Sequence, residues 1–163
     1  MSDTSHEYLT FLLDNEEFGV DILCVQEIMV WSPVTELPGT PDYLKGVINL
    51  RGVIVPIVDM RQRFGADGVD YDATTVVIVL RAKRENKSIV VGLVVDAVSD
   101  VYKVENHDVK QAPDFGTHIN NQFLSGMATV DGKIVIILDA KKLLSVDELY
   151  QVTMSAIPQP LAS

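Results

Sequence analysis

Cysteine is nearly absent. Cys24 is the only one in 163 residues, so no internal disulfide can staple the chain, which fits a reducing, cytosolic compartment. It lies in an apolar run, where a small buried hydrophobe is expected rather than a reactive thiol. Histidine is scarce as well: His6, His107 and His118 have spacings that make no metal-ligand pattern on a helix or hairpin. Positive charge is short, with 13 Lys and Arg against 23 Asp and Glu, a net −10. Without a basic patch interleaved with aromatics, nucleic acid and anionic membrane surfaces are poor partners. Long apolar runs are missing too. Ile89–Val95 falls far short of the roughly 20 residues of a membrane span. Met-Ser-Asp-Thr-Ser-His-Glu has neither the basic start nor the apolar core of a secretion signal. A soluble chain with no direct membrane insertion is the expectation.

Catalytic patterns are equally thin. Gly65-Ala-Asp-Gly68 lacks the Lys-Ser/Thr that a phosphate loop requires. A single cysteine with no adjacent histidine is weak evidence for a nucleophile. Asp21, Asp59, Asp96 and Asp139 fall at strand-to-helix junctions, where capping explains them better than acid catalysis. Asp96 and Asp100 read as solvated carboxylates before they read as metal ligands. An enzyme using the polar stretch with His107 and His118 stays open as a competing class, with no cofactor implied.

What is present is a repeated unit. Residues 46–64 hold two apolar runs, Val47–Leu50 and Val53–Val58, flanking Arg51-Gly52. A glycine in the second turn position tolerates positive φ, so this reads as a tight β-hairpin. Asp59 then caps a short helical stretch from Met60 to Phe64. The pattern returns without a gap 80 positions on, where Gly126, Gly132, Asp139 and Leu144 match Gly46, Gly52, Asp59 and Phe64. The second turn is Asp131-Gly132, a strong hairpin signal. Upstream, Phe18–Ile28 resembles Val91–Val101 at an offset of 73. About seven extra residues therefore enter the second copy, in the polar stretch 106–121. The chain reads as an internal duplication. Each half has only some 70 residues, where a core is marginal at about 3–5 kcal/mol, so the halves should share a hydrophobic seam.

In chain order, Leu9, Phe11 and Leu13 share one face of a first strand. Residues 14–17 form a turn, and Phe18–Val20 begins the return strand. Asp21 caps a short helix with Ile22, Val25 and Ile28 or Met29 inward, which Trp31 and Ser32-Pro33 break. Val34–Leu37 is a short strand, and 41–46 a helical turn with proline first. Pro56 lacks an N–H, which puts its strand at an edge or at a bulge. Residues 66–73 are a polar linker. Thr74–Leu80 and Ile89–Val95 are β-branched runs buried on both faces, joined by a charged loop over 81–88. Val98–Val104 alternates. Phe123–Val130 and Ile134–Leu138 form the second hairpin, and 141–152 a terminal helix. Many short strands in two copies suggest two small antiparallel barrels.

Arg51 is the odd member of the repeat, because Asp131 stands in its place. Its forked donors suit a carboxylate or carbonyls. As an exposed turn residue without a partner it would be equally unremarkable.

Phe18-Gly-Val-Asp-Ile-Leu-Cys-Val-Gln-Glu-Ile28, Leu44-Lys-Gly-Val-Ile-Asn-Leu-Arg-Gly52 and Ile54-Val-Pro-Ile-Val-Asp-Met-Arg61 closely resemble the CheW chemotaxis coupling proteins. Thr75–Leu80, Val90–Asp96 and Val98–Val101 continue the match, which spans Glu7 to about Leu144. The resemblance implies a mainly β fold: two SH3-like five-stranded antiparallel β-barrels packed together, with short helices and a C-terminal helix. It implies one domain over 1–163 made of two intertwined subdomains, with cores about 18–66 and 74–144 and room for exchange of terminal strands or helix. It also implies a non-enzymatic adaptor linking the cytoplasmic tips of chemoreceptors to the regulatory domain of the CheA histidine kinase, cytoplasmic and recruited to membrane-associated arrays. Carried over, receptor binding falls on Val25, Glu27, Gly46, Asn49, Arg51 and Val101. Kinase contact is expected on the exposed surface of strands 76–80 and 90–94, at Val77, Val79, Val91 and Leu93. A similar adaptor for a kinase pathway outside chemotaxis is the alternative.

Overall fold

The computed structural model describes residues 5–13, 15–36, 44–63, 71–84, 87–110 and 124–140. Among these residues ten strands run in order: β1 (Ser5–Leu13), β2 (Glu16–Asp21), β3 (Val25–Val30), β4 (Leu44–Leu50), β5 (Val53–Asp59), β6 (Val76–Arg84), β7 (Lys87–Val95), β8 (Ala97–Glu105), β9 (Leu124–Val130) and β10 (Lys133–Leu138). A helical turn, α1 (Met60–Arg63), follows β5 directly.

The strands form two five-stranded sheets, ordered β8-β1-β2-β10-β9 and β3-β6-β7-β5-β4. The duplication is visible in these orders, since β1 to β5 occupy the places that β6 to β10 occupy in the other sheet. Neither sheet is built from one half. The first takes β1 and β2 from the front of the chain and β8 to β10 from the back, and the second does the reverse. The registers repeat as well: Ile137 lies opposite Gly19 and Ile57 opposite Gly92. These two ladders, β10 with β2 and β5 with β7, are parallel. The expected all-antiparallel pairing is corrected at that one place in each sheet.

Each sheet curls toward closure. Beyond β3, Thr35 and Val47 exchange backbone hydrogen bonds of 3.1 and 2.9 Å, and beyond β8, Lys110 and Met127 do so at 2.7 Å each. These bridges join segments that follow one outer strand to the outer strand on the other side, which is how the SH3-like five-stranded barrels arise here. Thr35 and Lys110 are 75 positions apart, so part of the extra length of the second copy precedes Lys110 and the rest follows it.

The expected seam is present. Leu9, Phe11 and Phe18 of the first sheet pack with Ile78, Leu80 and Leu93 of the second in one buried cluster. Full burial of each such side chain stabilises by roughly 1.5–3 kcal/mol before entropy is counted. A half-chain would lack the partners for that burial.

Five local expectations are corrected. Val25–Val30 is strand, not helix; only Ile22–Cys24 forms a 3-10 turn, capped by Asp21, whose Oδ1 accepts from Leu23 N at 2.9 Å. Residues 44–46 belong to β4 rather than to a helical turn, and Val34–Glu36 contributes only the single bridge at Thr35. Pro56 is in an interior strand. Leu50 and Val53 flank the two-residue turn, so hydrogen-bonded pairs alternate from there and Val47 with Pro56 is a non-bonded pair. The ladder to β7 begins one residue later, at Ile57, so the missing N–H is not needed on either side. The charged segment 81–88 is largely strand, with β6 running to Arg84 and β7 starting at Lys87. The expected C-terminal helix lies outside the described residues.

Candidate functional site

Arg51 has a partner. At the β4–β5 turn Arg51 and Gly52 have φ of 51° and 89°, and Asp131 and Gly132 at the β9–β10 turn have 52° and 77°. Both central residues at positive φ give the hairpin turn whose twist matches its strands. From this turn the Arg51 guanidinium reaches Glu27 in a fork, Nη2 donating to Oε1 at 2.6 Å and Nη1 to Oε2 at 3.1 Å. Glu27 is on β3 and Arg51 follows β4, the two outermost strands of the second sheet. The pair therefore clasps the two ends of one barrel. Its Arg side chain is 71% exposed, so it adds at most about 1 kcal/mol to stability. Its worth lies in presenting an oriented charge pair at the surface.

The expected receptor-facing residues take different parts. Asn49 Oδ1 accepts from Gly52 N at 2.8 Å, bracing the turn. Gly46 has φ of 151°, and a Cβ there would lie 2.2 Å from the Thr35 carbonyl oxygen. Glycine is what lets the Thr35–Val47 bridge form. Val25 is half-buried against the main core, two residues before Glu27. These residues gather around the clasp. Val101 does not: it is 41% exposed on β8, an outer strand of the other sheet.

At the equivalent place in the first sheet the charges differ. Asp100 matches Glu27 and Asp131 matches Arg51, so two carboxylates stand where the second sheet has an ion pair. They raise the Tyr102 pKa together with Glu17, after the larger effect of desolvation.

The proposed kinase-facing strand surface is corrected. Val77, Val79, Val91 and Leu93 are 4%, 0%, 1% and 1% exposed. They face the hydrophobic clusters on both sides of the sheet and present no surface to a partner. Exposed apolar side chains occur elsewhere: Leu23, Ile28, Val30 and Val53. Ile28 and Val30 lie on the outward face of β3, where Val25, Glu27 and Met29 are half-buried. A helix over this run would turn Ile28 inward; the strand turns it out. The two-residue spacing of Ile28 and Val30 was the signal available.

A second polar cluster is buried. Asp59, fully buried, caps α1 by accepting from Arg61 N at 3.0 Å. The Arg61 side chain, 10% exposed, lies between Asp59 at 3.2 Å and Asp96 at 2.6 Å. Tyr71 Oη donates to Asp59 Oδ2 at 2.8 Å, and the Tyr71 ring stacks on Trp31 at 4.3 Å. Burial, then the Asp59 carboxylate, pushes the Tyr71 pKa far above its ordinary value. Burial alone would lower the Arg61 pKa, but Asp59 and Asp96 outweigh it and raise it. Asp96 N also donates to Leu12 O at 2.9 Å, tying this cluster to the first sheet. Asp59, fully buried and held by Arg61 and Tyr71, fixes structure.

Cys24 is half-buried, and burial, followed by Asp21 and Asp139, raises its thiol pKa. That is the environment of an unreactive side chain. His107 is exposed beside Asp108 at 3.4 Å, and His118 lies outside the described residues. Among the described residues no helix is long and apolar enough to cross a membrane.

The family model described as CheW-like domain matches residues 7–148. The chain is 47% identical over 143 residues to the chemotaxis protein CheW of Klebsiella aerogenes, covering 88% of this chain and 84% of that protein. It is 35% identical over 148 residues to a probable chemotaxis protein CheW of Rhizobium etli, covering 91% and 93%. The crystal structure of the scaffolding protein TtCheW from Thermoanaerobacter tengcongensis superposes with a TM-score of 0.75 at 31% identity, covering 87% of this chain and 94% of that one.

Proposed function

The chain belongs to the CheW family and is a chemotaxis coupling scaffold, and from that premise we propose that it bridges chemoreceptor tips to the CheA histidine kinase within membrane-associated arrays. The observation that carries this reading is the exposed Arg51–Glu27 clasp across one barrel. A receptor tip is helical, and it lays apolar residues beside the clasp at Val25 while Arg51 and Glu27 set its polar register. Gly46 and Asn49 keep the clasp in shape. Val101 belongs to a separate contact from the other barrel.

The kinase takes the outward stripe of Ile28 and Val30 with Leu23. An edge strand exposing alternate apolar side chains favours a partner that covers it. The two faces of β3 then serve two partners, so one molecule holds both at once. Contacts of about −8 kcal/mol, micromolar each, suffice, because linkage in an array raises the effective concentration of every site.

Binding of the purified chain to receptor-tip fragments and to the CheA regulatory domain, measured one partner at a time, tests this. Micromolar affinity for both is expected. Binding to the kinase domain alone contradicts the bridging role.

A further inference from the structure

Asn49 and its counterpart in the second repeat differ in a way the turn geometry explains. The counterpart, 80 positions on, is Thr129. In the second turn Asp131 occupies the left-handed region at φ 52°, a conformation that Asp tolerates through its short polar side chain. In the first turn Arg51 holds the same conformation at φ 51° without that help. The first turn has a brace instead, the 2.8 Å hydrogen bond from Gly52 N to Asn49 Oδ1. It fixes the peptide joining Arg51 to Gly52, and so the direction in which the Arg51 side chain leaves the turn. From that direction the guanidinium meets both Glu27 oxygens.

We infer that Asn49 is a positioning residue for Arg51: it holds an arginine in a turn conformation that suits aspartate, and it acts in receptor binding through the clasp rather than by touching the receptor. This rests on the receptor reading of the clasp given above. The same turn in the second barrel carries no arginine to aim, and no asparagine.

The test compares Asn49→Ala, Asn49→Thr and Asn49→Asp in the full chain. Amide hydrogen exchange at Gly52 reads the brace directly. Asn49→Ala and Asn49→Thr should speed it by about fivefold, the worth of one hydrogen bond, while Asn49→Asp keeps an acceptor and keeps exchange slow. The Arg51 guanidinium signal in nitrogen-15 NMR should sharpen toward free rotation in the first two variants only. Affinity for a receptor-tip fragment should fall about fivefold for Asn49→Ala, and should not fall further when Asn49→Ala is added to Arg51→Ala. An unchanged Gly52 amide overturns the inference. So does an equal loss of affinity with and without Arg51, which would mark a direct contact. If Arg51→Ala itself leaves affinity unchanged, the receptor reading fails, and the Gly52 and guanidinium signals still decide the role of Asn49.

Discussion

Glu27 sits on one outer strand of a five-stranded sheet and Arg51 in the turn that follows the other outer strand, and they meet in a two-pronged ion pair of 2.6 and 3.1 Å. The contact is made by the closing of the barrel, not by neighbouring strands. Because it is exposed, its loss should be felt at a binding surface before it is felt in folding.

Arg51→Ala should weaken receptor-tip binding about tenfold, or about 1.4 kcal/mol. Stability to urea should change by less than about 1 kcal/mol. Binding titration and circular dichroism together separate the two effects. A large loss of stability would make Arg51 a structural residue.

Gly46→Ala should behave in the opposite way. The new methyl would lie 2.2 Å from the Thr35 carbonyl oxygen, at a φ of 151°. The barrel-closing bridge must shift, at a cost of about 2 kcal/mol or more. Gly126→Ala, with a Cβ 2.5 Å from the Lys110 carbonyl oxygen, should be destabilising for the same reason in the other barrel. Denaturant midpoints of the two variants check the parallel. If Gly46→Ala lost binding at unchanged stability, the glycine would instead mark a close contact with the receptor.

Ile28→Glu and Val30→Glu should leave the fold intact and reduce capture of the CheA regulatory domain, with receptor binding retained. Val79→Asp should unfold the protein, since Val79 is fully buried and an unpaired buried carboxylate costs several kcal/mol. Soluble, folded Val79→Asp with selective loss of kinase binding would restore the strand surface that burial removes.

The buried cluster gives a prediction in pH. The Tyr71 pKa is raised on folding, so its contribution to stability is fully present below the ordinary tyrosine pKa of about 10 and is lost as pH rises beyond it. Tyr71→Phe should flatten that alkaline decline in thermal unfolding. Arg61→Leu should destabilise at neutral pH by about 3–5 kcal/mol, because it leaves Asp59 buried without its cation.

The hairpins and the duplication were legible because their signals are short-range. Arg51-Gly52 and Asp131-Gly132 declare turns within two residues, and the apolar runs on each side need no distant partner to be read. The Asp59 cap followed from its place before Met60. Around β3 the helical stripe of Ile22, Val25 and Ile28 competes with the two-residue spacing of Ile28 and Val30, and local pattern does not choose between them. What decides the matter is pairing with β6, Ile28 against Ile78 and Met29 against Val77, across about fifty residues of chain. Tyr71 lies in a stretch whose composition reads as polar linker, yet Trp31 and Asp59 hold it from two other parts of the fold.

The site was legible unevenly for the same reason. The resemblance points to Glu27, Asn49 and Arg51, but their joining depends on barrel closure, which no local pattern announces. The β-branched runs announce burial over most of 75–80 and 89–95, and those segments are buried. That reading already disagreed with placing a docking surface on Val77, Val79, Val91 and Leu93. Ile28 and Val30 form an outward stripe only because β3 is a strand, and Leu23 joins them from the 3-10 turn before it.

The central claim is simultaneous bridging, and the most direct measurement is co-sedimentation of the chain with receptor-tip assemblies and CheA while kinase autophosphorylation is followed. The account predicts a ternary complex that forms only when this chain is present, with kinase activity altered in it. Receptor and kinase binding that exclude each other, or a ternary complex with unchanged kinase activity, would contradict it.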